Sequence, residues 1–123
     1  MTMRTIAIVE DNPDNQMLLE ALLEDDYKLN AYMTGVAALE GIAAELPDLV
    51  LMDISLPQMD GTEVLAELRK HPRTASLPVV ALTAHAMAGD EQRFLSMGFD
   101  GYLSKPIVDE DVLYSVIAGL LPA

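Results

Sequence analysis

Five residues stand where apolar runs end in this 123-residue chain: Glu10 and Asp11 after "TIAIV", Asp53 after "LVLM", Thr83 after "VVAL" and Lys105 after "GYLS". Three carboxylates brought to one place repel one another and raise each other's pKa. A hard divalent cation relieves that repulsion. Oxygen donors in this number suit Mg2+, which keeps some waters and accepts a phosphate oxygen. An ionised aspartate beside such an ion is a nucleophile able to form an aspartyl-phosphate. The metal and a lysine then neutralise charge on the transferring phosphoryl group, and a threonine hydroxyl donates to one of its oxygens. Asp53 is the most telling of the five, because ending an apolar run on an unpaired charge is costly. Taken singly, each has an ordinary reading. Glu10-Asp11 fits a loop leading into a helix, Thr83 a turn, and Lys105 a solvated surface lysine. Their joint placement is what argues for a site.

For the five to meet, the runs that precede them must be neighbouring strands. Residues 5–9, 48–52 and 78–82 are rich in Ile, Val and Leu without polar alternation, the pattern of strands buried on both faces of a parallel sheet. Residues 28–33 and 101–103 are weaker strand candidates. Helical segments lie between them. Asn12-Pro13 supplies an N-cap and a first-turn proline to "DNQMLLEALLEDD", whose Leu18, Leu19, Leu22 and Leu23 predict a core face. Thr34-Gly35 precedes "VAALEGIAAEL", which ends at Pro47. Asp60 and Glu63 have the spacing of a capping box before Val64, Leu65 and Leu68. A fourth helical region includes Gly89-Asp90 and reaches Met97 before Gly98, and Asp109-Glu110-Asp111 opens a fifth, "VLYSVIAGLL". Five strands alternating with five helices predict a doubly wound α/β sheet. Such sheets bind ligands beyond the carboxyl ends of their strands, the rim on which all five residues fall.

Composition sets the outer bounds. A chain 51% hydrophobic and 22% charged is a packed globule, long enough for its own core. With no cysteine, a disulfide framework and a thiolate zinc site are excluded. The net charge of -13 repels phosphate backbones, so no direct nucleic-acid partner is expected. The N-terminal apolar stretch is too short for a signal peptide, and no run is long enough to span a membrane. A cytoplasmic, single-domain protein over residues 1–123 is expected, without repeat, linker or residue left for a second domain.

Across essentially all its length, from "IVEDN" through "LMDISLPQMDG" and "ALTAHAM" to "YLSKP", the chain resembles the receiver (CheY-like) domain of two-component response regulators. The resemblance implies a flavodoxin-like (βα)5 sheet of strand order 2-1-3-4-5. It makes Asp53 the phosphoacceptor. Asp11 would bind Mg2+ directly and Glu10 chiefly through a metal-bound water. Asp53 and the backbone carbonyl of Ser55 would complete the protein ligands. Thr83 becomes the switch hydroxyl, Lys105 the contact to the phosphoryl group, and Tyr102 the switch aromatic. The bond before Pro106 would be cis. Glu10 departs from the aspartate that many members carry. In the family the threonine moves to the phosphoryl group and the aromatic ring turns inward behind it. That rearranges the face made by the fourth helix, fifth strand and fifth helix. Ala84, Ala86 and Ala88 leave room for such movement.

The remaining candidates read as ordinary. His71 and His85 are too far apart to argue for a site, although His85 lies two residues past Thr83. Met87 and Met97 suit core and surface, and of Phe94 and Met97 one is expected inside and the other toward a partner. The sequence thus predicts a stand-alone response regulator. It takes a phosphoryl group from a histidine kinase or histidine phosphotransfer protein, uses Mg2+, and changes its binding to a downstream protein. No enzymatic turnover beyond its own phosphorylation and dephosphorylation is expected. Two alternatives stand beside it: a Mg2+-dependent phosphohydrolase working through an aspartyl-phosphate, and a phosphorylation-independent scaffold. The first would need an acid/base carboxylate two residues beyond Asp53, where Ser55 stands, and the second has no use for all five rim residues.

Overall fold

The computed structural model describes residues 3–84, 89–105, 107 and 109–121. Five strands, β1 (Thr5–Val9), β2 (Lys28–Tyr32), β3 (Leu49–Asp53), β4 (Val79–Thr83) and β5 (Gly101–Ser104), form one parallel sheet in the order β2-β1-β3-β4-β5. Five helices alternate with them: α1 (Pro13–Leu23), α2 (Gly35–Ala44), α3 (Gly61–Lys70), α4 (Asp90–Met97) and α5 (Glu110–Leu120). The doubly wound (βα)5 sheet expected from the sequence is the fold observed.

The missing polar alternation has a direct cause. Successive strand residues point to opposite faces, and both faces are covered. Ala7, Val9, Val50, Met52, Val79 and Ala81 pack with α2, α3 and Phe94 of α4. Ile6, Ile8, Leu49, Leu51, Val80 and Leu82 pack with α1 and α5. All five residues of β3 and of β4 are buried. The edge strands β2 and β5 are only partly covered, so their sequence signal is weaker.

Caps set the helix starts. The Asn12 side chain accepts from the N–H groups of Asp14 and Asn15, Thr34 from Ala37, Asp60 from Thr62 and Glu63, and Asp109 from Asp111 and Val112. α4 begins by another route: Gly89 and Gly98, at φ 88° and 113°, take the left-handed backbone at its two ends.

The structure corrects several expectations, among them the end of α1, which stops at Leu23 instead of reaching Asp26. The core face of α1 is narrower than four leucines. Leu19 and Leu23 are buried and Leu22 packs at the margin, but Leu18 is 40% exposed. Each residue turns the helix by about 100°, so Leu18 lies roughly a third of a turn from the buried pair. α2 stops at Ala44 instead of running to Leu46, consistent with the bias against helix just ahead of Pro47. β3 and β4 each begin and end one residue later than read, which makes Asp53 and Thr83 the final residues of their strands. Asp48, left outside β3, accepts the Thr5 N–H at 2.7 Å and fixes the start of β1.

Candidate functional site

Register brings the rim residues together. Val9 pairs with Met52, so Glu10 comes out of β1 beside Asp53. Asp53 pairs with Leu82, which puts Thr83 on its other flank. Thr83 pairs with Ser104, and the next residue, Lys105, extends that ladder by donating its N–H to the Thr83 carbonyl at 2.8 Å. Glu10, Asp53 and Thr83 are buried, at 0%, 2% and 4% exposure. One carboxylate oxygen each from Glu10, Asp11 and Asp53 lies within 4.8 Å of the others. The sequence-predicted constellation is therefore assembled in space.

Two buried carboxylates side by side need a counter-charge. Lys105 reaches across β4 to supply it, with Nζ 3.0 Å from Glu10 Oε2 and 3.1 Å from Asp53 Oδ2. Each carboxylate has a backbone donor for its other oxygen. The Asn12 N–H donates to Glu10 Oε1 at 3.2 Å and the Ser55 N–H to Asp53 Oδ1 at 3.0 Å. Burial raises the Glu10 carboxyl above its ordinary value, the Lys105 hydrogen bond opposes this, and the Asp53 charge adds to it. For Lys105, burial pulls the ammonium down, but the hydrogen bonds and charges of Glu10 and Asp53 outweigh it and the net shift is upward. An all-oxygen set of three carboxylates fits a hard divalent cation such as Mg2+.

Local backbone chemistry holds this arrangement. A Cβ added to Gly61 would come to 2.4 Å from the Asp53 carbonyl oxygen. Only glycine lets the start of α3 approach the Asp53 end of β3 so closely. The Gly61 N–H donates to the Ile54 carbonyl at 3.0 Å, tying the loop after Asp53 back onto itself. Gln16 Nε2 donates to the carbonyls of Glu10 and Tyr32, both at 3.4 Å, fixing α1 to the rim. Sequence reasoning singled out neither Gly61 nor Gln16. A glycine beside an N-cap aspartate was the available signal for the first; an interior helix glutamine carries none.

Tyr102 is half-buried on β5 and stacks on Phe94 of α4, with ring centroids 6.1 Å apart and planes at 21°. Phe94 also meets Phe99 edge-on at 5.9 Å, and the Arg93 guanidinium lies 4.7 Å from the Phe94 centroid. Burial raises the Tyr102 phenol, with Asp90 and Glu91 of α4 adding to the shift. Phe94 is the inward member of its pair and Met97, at 49% exposure, the outward one. Ser55 is exposed and His71 caps the C-terminus of α3, far along the chain from the rim. His85, Ala86, Met87, Ala88 and the expected cis bond at Pro106 lie outside the described residues.

A family profile described as "Response regulator receiver domain" matches residues 6–118. The chain is 42% identical over 116 residues to the sensor histidine kinase GacS of Pseudomonas protegens, an alignment covering 91% of this chain and 13% of that protein. Thus it spans about an eighth of that relative's length. It is 41% identical over 105 residues to the polar-differentiation response regulator DivK of Brucella ovis, covering 85% of each. Among solved structures, the receiver domain of the sensor histidine kinase PA1611 of Pseudomonas aeruginosa, which has a magnesium ion in its active-site cleft, superposes with a TM-score of 0.87. It is 32% identical, over 97% of this chain and 98% of that one.

Proposed function

This chain belongs to the response regulator receiver domain family, and from that premise we propose that residues 1–123 act as a free-standing phosphoryl switch with Asp53 as acceptor. Receiver domains are signalling switches of two-component systems, served by histidine kinases and phosphotransfer proteins. The observation that carries the reading is the buried Asp53 carboxylate, held between the Lys105 ammonium and the carboxylates of Glu10 and Asp11. DivK, which this chain matches over 85% of that protein's length, supports a free-standing form, and we assign the protein to the cytoplasm.

The donor is a phosphohistidine of a histidine kinase or phosphotransfer protein. An Asp53 carboxylate oxygen attacks phosphorus; an O–P bond forms as the N–P bond breaks, and the departing imidazole nitrogen keeps the electron pair. The Ser55 N–H holds Oδ1 at 3.0 Å, so the carboxylate is oriented before the donor arrives. Lys105 already faces Oδ2 and follows the negative charge from carboxylate to phosphoryl oxygen. Glu10, Asp11, Asp53 and the Ser55 carbonyl would hold Mg2+, which when bound would neutralise phosphoryl charge. The Thr83 hydroxyl, at the end of the adjacent strand, then donates a hydrogen bond to a phosphoryl oxygen. Tyr102 responds in the space behind it, and its stack with Phe94 carries the change into α4. The α4–β5–α5 face is accordingly the output surface for a downstream protein. A phosphohydrolase is disfavoured by Ser55, which offers no acid/base carboxylate.

The test is amide NMR of the full chain with Mg2+ and beryllofluoride, a phosphoryl mimic. Shifts are expected at Thr83, Phe94 and Tyr102 in the wild type and none of them in Asp53→Asn. An equal response of the variant, or a silent wild type, would contradict the assignment.

A further inference from the structure

Of the residues of α4 only Phe94 is buried. Between this helix and α5, alongside β5, lies an open groove of about 310 Å3. Leu95 lines it from α4, Ser115 and Val116 from α5, and Tyr102 from β5. Leu95 is 41% exposed, and Val112, one turn before Val116, is 48% exposed. Two glycines also line the groove. A Cβ at Gly101 would lie 3.2 Å from Val116 Cγ1, so β5 and α5 are in close contact there. A Cβ at Gly119 would meet nothing within 4 Å. No steric contact among the described residues calls for glycine at 119, and a helical glycine costs stability relative to alanine. What its missing side chain leaves is room in the groove.

The free charge around this groove is of one sign. Beyond Arg73 the chain carries six Asp and Glu residues against two cations, Arg93 and Lys105. Neither cation lines the groove. Arg93 pairs with Asp90 and lies over the Phe94 ring, and Lys105 is held by Glu10 and Asp53. Asp100, at the end of the groove away from the phosphoryl rim, is paired with Arg69 and contributes little net charge. The other end is different. α4 and α5 both start at the rim, which puts Glu91 of α4 and Asp111 of α5 there, one on each helix. Both are exposed, and among the described residues neither has an ion pair.

We propose, resting on the reading of the α4–β5–α5 face as the output surface, that the groove between α4 and α5 docks a cationic segment of another protein. One apolar side chain lies beside Leu95 and Val116, and flanking Lys or Arg residues meet Glu91 and Asp111. Charge selects the occupant, since a chain of net charge -13 attracts a cationic segment and the unpaired carboxylates fix where it settles. A second copy of the chain does not fit. A two-fold contact would bring one acidic groove against another with no cation lining either.

The experiment is a titration of the isotope-labelled full chain with a short synthetic peptide, Leu-Phe flanked on both sides by Lys and Arg, followed by amide NMR. It is run with and without Mg2+ and beryllofluoride. Shifts are expected at Glu91, Leu95, Tyr102, Ser115 and Gly119. The double variant Glu91→Lys, Asp111→Lys should weaken binding by about tenfold or more. The control Glu24→Lys, Asp25→Lys changes the net charge equally at the end of α1 and should weaken it much less. Gly119→Leu, which fills open space, should weaken it too, as should Ser-Ser in place of Leu-Phe. A native-like spectrum certifies that each variant is folded. Scattered shifts, binding in neither state, or equal weakening by the two double variants would overturn the proposal, as would equal binding of the Ser-Ser peptide. Beryllofluoride shifts at Phe94 and Tyr102 without peptide binding would contradict the docking groove alone. Peptide binding of equal strength in both states would support the groove and contradict the output role of the face.

Discussion

At the scale of single residues, the unusual feature is two nearly inaccessible carboxylates sharing one ammonium. Glu10 and Asp53 both touch Lys105 Nζ, and Asp11 adds a third carboxylate nearby. Removing the cation leaves buried like charges facing each other. Lys105→Met is therefore expected to destabilise the metal-free protein by about 1–3 kcal/mol, with Mg2+ restoring part of the loss. Urea unfolding with and without Mg2+ measures both quantities, and an unchanged midpoint would show that the ammonium is not needed there. All five rim residues were legible from the sequence because each follows an apolar run, and burial of the runs forces their ends to one edge. What was not legible was how the carboxylates are held. The Ser55 and Asn12 N–H groups act through backbone geometry, which residue type does not encode.

At the scale of elements, caps were the most readable feature and helix faces the least. Asn12, Thr34, Asp60 and Asp109 each cap the helix they were expected to begin, since a short polar side chain before an apolar period has little else to do. Leu18 was misplaced because a run of adjacent leucines does not say which lie toward the sheet. The edge strands were faint because they are half solvated. Asp60 carries a testable pH dependence. The Thr62 hydroxyl, bonded to Asp60 Oδ1 at 2.5 Å, and the N–H groups of Glu63 and Thr62 lower its carboxyl below the ordinary 3.8 in spite of partial burial. A folded pKa lower than the unfolded one adds stability that is complete above the unfolded value and disappears as pH falls through the folded value. Asp60→Asn keeps an acceptor but loses the charge. Wild type should exceed this variant by about 0.5–1 kcal/mol at neutral pH. The difference should shrink as pH falls below the ordinary 3.8 and through the lower folded value. Denaturation midpoints across that range measure it, and a gap that persists into acid would contradict the cause given.

At the scale of the whole molecule, the parallel sheet is a rigid mount and the two covered faces have different duties. α1 and α5 close one side, and α2, α3 and α4 the other. Tyr102 of β5 stacks on Phe94 of α4, and under the proposed function this stack is the physical route from Asp53 to that helix. The central claim is that Asp53 takes the phosphoryl group with Mg2+. Incubation with a small-molecule phosphodonor, followed by mass spectrometry of the intact protein and of its peptides, tests it most directly. One phosphoryl group should appear with Mg2+ and map to Asp53, and it should be absent under chelation and in Asp53→Asn. A phosphoryl group on any other residue, or an equal yield without metal, would contradict the account.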